Sequence, residues 1–379
     1  MKIRLFTPGP VEIPPRVLRA LSQVPPHHRT DVFRDTLKRV TAALQWLHGT
    51  KGEVFLLSAS GSGAMEAAVV NLMGPSDKAL VPSAGKFGDR WASILKAYGV
   101  PLEVIPFEWG TAIDPKAVER ALDKDSSIKA VYTTHSETST GAIHDLEAIA
   151  GITRPRNVLL VVDGITSVGV HPLPQDEWGV DVVVCGSQKG MMIPPGIGTV
   201  SLAPWAATAI EGQKLPRFYW DFLRARKSAP IGETPFTPPV SLVLALEEAL
   251  TMMKEEGLDR VHERHRKVAH AVWAGTKALG FKLFSSSPAH SLTSLLPPEG
   301  IEASAIVKRL RDVHGIYVAG GQDHLKGKIF RIGHMGAYDL GDVHVIVGAL
   351  EECVAALGKP ATAGVGAAAA AVREAWQAA

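Results

Sequence analysis

The stretch VDVVVCGSQKGMMIPPGIGTV, residues 180–200, holds two apolar segments separated by a turn of small residues and one lysine, Lys189. The first segment, 180–185, is apolar almost throughout, which is typical of a strand covered on both faces. Lysine is mostly a solvent-exposed residue, and no acidic residue stands beside Lys189. The stretch therefore predicts a buried strand followed by a lysine that has no acidic counter-ion among its neighbours in the sequence.

Strand-like and helix-like segments alternate on the N-terminal side of this stretch. Alternation of this kind indicates a mostly parallel sheet flanked by helices, an α/β fold. The predicted strands are 53–59, 78–83, 102–107, 129–135, 157–163, 180–187 and 198–203, and the predicted helices are 63–73, 88–99, 115–124 and 146–153.

The pattern changes after about residue 256. A charged amphipathic helix is followed by short strands and two further helices, which favours helices packed on one face of a small sheet. The predicted helices are 258–280, 302–315 and 342–358, and the predicted strands are 281–285, 291–297, 316–321 and 328–334. The last segment, 359–379, is rich in alanine and is expected to be a frayed helix or disordered.

Composition narrows the class of protein. The 379 residues carry a net charge of only +2, so nothing suggests nucleic acid or a membrane surface as a partner. The two cysteines, Cys185 and Cys353, cannot form a disulfide framework or a zinc cluster, so no metal site is expected and a reducing cytoplasm fits. Neither a signal peptide nor an apolar run of about 18 residues is evident.

Three features follow predicted strands, at the edge of a parallel sheet where ligands bind. Ser60–Gly63 opens a helix with small residues, Asp163 ends an apolar strand, and Lys189 follows the next strand. Taken singly, each has an ordinary explanation: a tight turn, a helix cap or loop ion pair, and a lysine that reaches solvent. The first is neither a Walker loop nor a dinucleotide fingerprint, since no G-K-[ST] follows and Glu66 replaces the third glycine.

Together these features match what pyridoxal phosphate requires. A helix N-terminus with small residues binds phosphate. A buried acid can pair with the pyridine nitrogen, and a lysine with a lowered pKa can form a Schiff base with the aldehyde. We therefore expect pyridoxal 5'-phosphate as cofactor.

The stretch around Lys189 resembles the lysine motif of class V pyridoxal-phosphate aminotransferases, which include alanine–glyoxylate, serine–pyruvate and serine–glyoxylate enzymes. Similar segments are TPGPVEIPPRVL, SASGSGAMEA, HSETSTG, VVDGITSVG and FRIGHMG. The resemblance implies fold type I, with a large domain built on a mostly parallel seven-stranded sheet and a smaller C-terminal α+β domain. The expected division is an arm at 1–15, a large domain at 16–256, a small domain at 257–358 and the tail at 359–379.

The resemblance also implies roles for individual residues around the cofactor. Ser60, Gly61, Ser62 and Gln188 would hold the phosphate, Phe87 would stack on the ring, Thr138 would hydrogen-bond the ring oxygen, Asp163 would pair with the ring nitrogen, Lys189 would bind the aldehyde, and Thr237 would reach the partner subunit's phosphate. This chain departs from the family pattern at three positions: Ser62 replaces a frequent histidine, Phe87 a frequent tryptophan, and Thr234 a frequent tyrosine.

Two arginines are implied to meet the substrate. Arg331 would bind the α-carboxylate, since a planar guanidinium suits bidentate recognition, although an exposed arginine on an edge strand is the ordinary alternative. Arg29, in HHRTDVF, would meet a substrate side chain from the partner subunit or would form a surface salt bridge.

The implied activity is transamination from a small amino acid such as alanine or serine to glyoxylate or pyruvate, in a homodimer with shared active sites. Lys189 and Asp163 would be the catalytic residues. Three alternatives stay open: an aspartate-using enzyme of the same class, a class V lyase, and a non-catalytic scaffold of the kind suggested by relatives named as hydrogenase subunits.

Overall fold

The computed structural model describes residues 2–358 and 366–379. Its strands are β1 (Arg4–Leu5), β2 (Glu53–Leu57), β3 (Lys78–Ser83), β4 (Leu102–Pro106), β5 (Ile128–Thr134), β6 (Ser136–Glu137), β7 (Ala142–Ile143), β8 (Leu159–Asp163), β9 (Val182–Gly186), β10 (Gly198–Leu202), β11 (Lys282–Leu283), β12 (Leu292–Leu296), β13 (Ile316–Tyr317), β14 (Ala319–Gly320) and β15 (Phe330–Gly333). Its α-helices are α1 (Pro15–Leu21), α2 (Asp31–His48), α3 (Gly61–Leu72), α4 (Lys86–Ala97), α5 (Pro115–Lys124), α6 (Leu146–Thr153), α7 (Gln175–Trp178), α8 (Phe222–Ser228), α9 (Val240–Glu256), α10 (Leu258–Ala278), α11 (Ala303–His314), α12 (Leu340–Ala356) and α13 (Ala367–Ala378).

A seven-stranded sheet forms the centre of the molecule, in the order β2-β10-β9-β8-β5-β3-β4. Only β10 runs antiparallel to its neighbours, so the predicted mostly parallel α/β sheet is confirmed. The three strands β5, β8 and β9 are buried on both faces almost throughout, as their apolar sequences predict. In this register Asp163 lies beside Val184 of β9, so the acid and the lysine turn share one edge of the sheet.

A second sheet of four antiparallel strands, β11-β12-β15-β14, lies in the C-terminal part of the chain with α10, α11 and α12. The single strand predicted at 316–321 is wrong in detail, because Val318 separates β13 from β14. Strand β13 instead pairs in parallel with β1 of the N-terminal segment. This pairing ties the start of the chain to its C-terminal part.

Residues 366–379 correct the expectation of a frayed or disordered tail, whereas 359–365 lie outside the described residues. Helix α13 packs against α10 and α12 and buries Ala368 and Val372. A Cβ at Gly275 of α10 would lie 2.7 Å from Cγ2 of Val372, so this glycine allows the close approach. The tail helix is therefore part of the C-terminal core.

The boundary proposed at residue 256 stays a prediction. Helix α9 ends at Glu256, Gly257 has a φ of 87°, and α10 begins at Leu258. Among the described residues, no helix is both long and apolar enough to cross a membrane.

Replacing Val372 by aspartate should detach the tail helix. A carboxylate would be buried without a partner, so we expect the unfolding free energy to fall by roughly 2–4 kcal/mol. Denaturant titration measures this loss, and limited proteolysis should release the C-terminal peptide. Arg373→Asp, at the exposed neighbouring position, should change stability by less than about 0.5 kcal/mol. Equal effects of the two variants would contradict the packing.

Candidate active site

Lys189 lies in the turn after β9 and is buried, with 8% of its surface exposed. Its Nζ donates a hydrogen bond to the carbonyl oxygen of Pro8 in the N-terminal segment. Burial lowers the pKa of Lys189 to about 8, and the nearby Asp163 partly opposes this effect. The solvent-reaching alternative for this lysine is therefore wrong.

The N-terminal segment reaches the lysine because Gly9 stands at the contact. A Cβ at Gly9 would lie 2.5 Å from Cε of Lys189, and its φ of 117° is a conformation that other residues rarely adopt. The backbone N–H of Val11 also donates to the carbonyl oxygen of Gln188, at 3.3 Å. Any larger residue at Gly9 would displace the arm or the lysine.

Asp163 ends β8 and is 95% buried. Its Oδ1 accepts a hydrogen bond from the backbone N–H of Ile165, at 2.8 Å, and no ion pair of the described residues includes it. Burial raises the pKa of Asp163 to about 7. A buried carboxyl of this kind is stabilised in its charged form by a cationic partner.

Ser60–Ser62 form the start of α3, with Ser60 as the N-cap residue. The Ser60 side chain makes no capping hydrogen bond, so its hydroxyl is available to a ligand. Two close approaches shape this turn: a Cβ at Gly61 would lie 2.4 Å from Cδ1 of Ile165, and a Cβ at Gly186 would lie 3.3 Å from N of Gly61. The lysine strand and the start of α3 are therefore in direct contact.

Gln188 carries a further unmet hydrogen-bonding group. Its Oε1 is buried without a hydrogen-bond partner in the protein. Buried polar groups are normally paired, so an orphan beside a helix N-terminus indicates that a ligand completes this site.

Phe87 is held in place by Glu137, a fully buried acid whose role the sequence analysis missed. Glu137 Oε2 accepts hydrogen bonds from the backbone N–H groups of Phe87 and Gly88, each at 3.1 Å, and Oε1 accepts from both N and Oγ of Ser139. A Cβ at Gly85 would lie 2.4 Å from the Glu137 carboxyl carbon. Glu137 thus caps the start of α4 and fixes the residue predicted to stack on the cofactor ring.

Thr138 meets Thr166, a second residue that sequence reasoning missed. Their hydroxyl oxygens lie 2.6 Å apart, so one donates to the other.

Arg90 was also missed, although it follows Phe87 at helical spacing on α4. Its guanidinium lies 4.5 Å above the Phe87 ring, and its Nη1 donates to Ser62 Oγ at 2.8 Å.

Most of the residues described so far line one cavity of about 240 Å³ at the carboxyl edge of the central sheet, whereas Glu137 supports it from outside the lining. Eight of the eleven predicted site residues are among them. The lining residues are Gly9, Pro10, Ser60, Gly61, Ser62, Phe87, Arg90, Thr138, Asp163, Ile165, Thr166, Gln188, Lys189 and Pro195.

Arg331 lies on β15, between β12 and β14, and is 94% buried. The alternative of an exposed arginine on an edge strand is therefore wrong. Its Nε and Nη2 donate to the Gly320 carbonyl oxygen at 3.0 and 2.8 Å, and Nη1 donates to the Thr138 carbonyl oxygen at 2.9 Å. Burial lowers the pKa of Arg331 to about 10, and the bond to Thr138 joins it to the cavity wall.

Arg29 and Thr237 lie apart from the cavity. Both are exposed, and neither lines it within one chain. No ion pair within 4.0 Å among the described residues includes Arg29, so the surface salt bridge considered for it is not formed. Their predicted roles depend on a partner subunit and stay predictions.

The fold and the cavity together define a class of protein. The Aminotransferase class-V family profile matches residues 3–327, and the chain belongs to this family. It is a pyridoxal-phosphate-dependent transaminase of fold type I, as the sequence predicted.

Individual relatives cover nearly the whole chain. A protein named soluble hydrogenase, small subunit, from Synechococcus sp. (strain PCC 6716) is 45% identical over 361 residues, 94% of each chain. The serine–glyoxylate aminotransferase of Methylorubrum extorquens is 37% identical and aligns over 90% of this chain and 88% of its own. The solved ureidoglycine–glyoxylate aminotransferase of Bacillus subtilis has a TM-score of 0.93 and 30% identity, over 100% of this chain and 99% of that one.

The residues present fit the cofactor. Among the described residues, the buried amine of Lys189 has no carboxylate partner within 4.0 Å and the buried carboxyl of Asp163 has no cationic one, which suits the aldehyde and the ring nitrogen of pyridoxal phosphate. The uncapped hydroxyl of Ser60 at the start of α3 suits its phosphate.

Cofactor capture by the apoenzyme should depend on pH with a midpoint near 8. Only a neutral amine attacks the aldehyde, and burial brings the pKa of Lys189 to about 8, so the capture rate should rise as the pH passes through this value. Stopped-flow absorbance after mixing apoenzyme with pyridoxal phosphate measures the rate. A midpoint near 10.5, the ordinary value for lysine, would contradict the buried amine.

Proposed function

We propose that this transaminase moves the amino group of a small amino acid, alanine or serine, to a small 2-oxo acid, with glyoxylate as the preferred acceptor. One observation carries the proposal: Lys189, Asp163 and the Ser60–Ser62 turn line a single small cavity, and Arg331 joins its wall through Thr138. Glyoxylate appears in the names of two relatives with different donors, which supports it as the acceptor.

Pyridoxal phosphate supplies the electron sink for deprotonation of the substrate. Lys189 is the proposed acid and base, because its lowered pKa leaves part of the amine neutral near pH 7 and able to take a proton at Nζ. Asp163 is proposed to face the ring nitrogen, and a cation there would keep its carboxyl ionised despite burial.

Part of the Arg331 guanidinium is proposed to bind the substrate carboxylate, because not all of its N–H groups are used within the protein. Of its five N–H groups, three bind carbonyl oxygens at 3.0 Å or less. Among the described residues, a fourth, on Nη1, has only a contact of 3.5 Å to Gln322 Oε1, and one on Nη2 has none. We propose that these two N–H groups, one on each terminal nitrogen, bind the two oxygens of a substrate carboxylate.

The proposed donor is small and neutral because of the charges around the cavity. The cationic side chains that line it are Lys189 and Arg90, and Arg90 is bonded to Ser62. A second carboxylate on the donor, as in aspartate, would need a further cation, and Arg29 of the other chain is the candidate from the sequence. Aspartate use is therefore an outcome of the test below.

The lyase alternative receives little support from the cysteines. Cys185 is buried within β9, and burial raises the pKa of its thiol to about 12. Cys353 is buried in α12, and neither cysteine lines the cavity. A thiol that stays protonated and out of contact with the substrate is not suited to sulfur transfer.

The hydrogenase name of one relative raises the question of a metal. Among the described residues, one group has three ligand-type side chains close together: His314, Glu352 and Cys353. Both oxygens of Glu352 accept hydrogen bonds from Arg309, so a cation already neutralises this carboxylate. The group is therefore better described as an ion-pair network.

We further propose a cytoplasmic homodimer with shared active sites. The aromatic cluster of Phe218, Tyr219 and Phe236 is partly exposed, with Phe218 64% exposed, and it adjoins Thr237. Val24 and Val32, on either side of Arg29, are 93% and 68% exposed. Apolar groups beside both residues predicted to act across subunits support an interface there.

The proposed reaction is tested by half-reactions of the holoenzyme. Alanine and serine should each discharge the visible absorbance of lysine-bound cofactor, and glyoxylate should restore it, whereas aspartate should act at least tenfold more slowly. Lys189→Ala should lack this absorbance, and Lys116→Ala, at an exposed position, should keep it. Arg331→Lys should raise KM for the donor about tenfold to hundredfold, because bidentate binding is lost. Faster discharge by aspartate would overturn the donor assignment.

The shared site is tested separately. Light scattering should show a dimer, and Phe218→Asp should shift it to monomer. Thr237→Ala should weaken cofactor affinity about threefold to tenfold although Thr237 lies outside the cavity of its own chain, whereas Thr251→Ala, also exposed, should not. A wild-type monomer with full cofactor affinity would exclude the shared site.

A further inference from the structure

Arg90 is a partly buried cation without an acidic partner. Among the described residues, no ion pair within 4.0 Å includes it. Its Nη1 donates a hydrogen bond of 2.8 Å to Ser62 Oγ, and its guanidinium lies 4.5 Å above the Phe87 ring. Asp163 lines the same cavity and interacts with Arg90 electrostatically but forms no ion pair with it. A guanidinium without an ion pair, in the wall of a cavity, indicates that an anion belongs beside it.

Of the described residues that line the cavity, Arg90 and Lys189 are cationic. The proposed function assigns the Lys189 amine to the cofactor aldehyde. Ser60, Gly61, Ser62 and Gln188 supply neutral donors and a helix N-terminus. A phosphate ester at neutral pH carries close to two negative charges. Arg90 is the one remaining cation among the lining residues that can compensate them.

The hydrogen bond to Ser62 decides how Arg90 acts. A serine hydroxyl has one proton to donate and two lone pairs that accept. Because Arg90 Nη1 donates to Ser62 Oγ, the hydroxyl proton is left for an acceptor on the other side. The cation therefore polarises the hydroxyl and leaves its proton free to bind an anion at the start of α3, where Ser62 lies.

We propose that Arg90 is the countercharge of the cofactor phosphate and positions Ser62 as a phosphate donor, an inference that rests on the proposed placement of the phosphate at Ser60–Ser62. The contact with Phe87 holds the guanidinium in this orientation. Arg90 and Ser62 thus form one phosphate-binding unit contributed by two helices, α4 and α3. Arg90 is a positioning residue for the cofactor and takes no part in proton transfer.

The inference predicts a selective effect on phosphorylated cofactor. Arg90→Met removes the charge and keeps most of the apolar stem. Its apoenzyme should bind pyridoxal phosphate about tenfold to hundredfold more weakly, while the affinity for unphosphorylated pyridoxal should change less than threefold. Both dissociation constants follow from absorbance titrations of apoenzyme. Inorganic phosphate should compete with the cofactor on the wild-type apoenzyme and much less on the variant.

Several variants separate this role from a structural one. Arg90→Lys keeps the charge and should retain part of the selectivity. Ser62→Ala should show the same selective loss, and the double variant should lose less than the product of the two single effects, because the residues act together. Arg154→Met removes an arginine that lies 3.8 Å above the Trp205 ring, far from the cavity, and should change neither affinity.

The outcomes are distinct from failure of the proposed function. If wild-type apoenzyme gives no Lys189-dependent absorbance with pyridoxal phosphate, the cofactor assignment fails. If wild type binds normally and Arg90→Met weakens phosphate and non-phosphate forms equally, Arg90 acts through Phe87 or the fold, and the inference is wrong. Unchanged affinities in Arg90→Met and Arg90→Lys, or fully multiplicative effects with Ser62→Ala, would also contradict it.

Discussion

The site depends on keeping the Lys189 amine out of water without giving it a carboxylate partner. The buried strand β9 carries the lysine to the edge of the sheet, and the arm at Gly9 covers it from the other side. Desolvation is the main cause that lowers the pKa of this amine, and it also raises the pKa of Asp163 on the neighbouring strand. The Lys189 amine and the Asp163 carboxyl therefore both lie buried without an ion-pair partner, and one bound cofactor would supply a partner to each.

The support of this site comes from elements that are distant along the chain. Glu137 holds the start of α4, α4 presents Phe87 and Arg90, and Arg90 reaches Ser62 on α3. On the substrate side, Arg331 belongs to the small sheet but is bonded to Thr138, which follows β6 of the large part of the chain. Hydrogen bonds therefore position the side chains where the cofactor ring would lie, and residues from both parts of the chain meet where the substrate carboxylate would lie.

The sequence predicted those residues that lie at strand ends. Lys189, Asp163 and Ser60 follow buried apolar strands, and parallel strands bring such positions to one edge. Glu137, Arg90 and Gly9 escaped prediction because their contacts join residues 50, 28 and 180 positions apart, and no local pattern records such pairings. The packing of helix α13 was missed because it depends on the close approach that Gly275 of α10 allows to Val372, a contact between distant segments that no local pattern records.

The central claim is that Lys189 holds the cofactor covalently in the cavity that Ser60–Ser62 and Asp163 line. Borohydride reduction of the holoenzyme followed by peptide mass mapping tests it most directly. The account predicts one phosphopyridoxyl group per chain, attached to Nζ of Lys189. A modified lysine elsewhere, or an enzyme that is active yet unmodified after reduction, would contradict it.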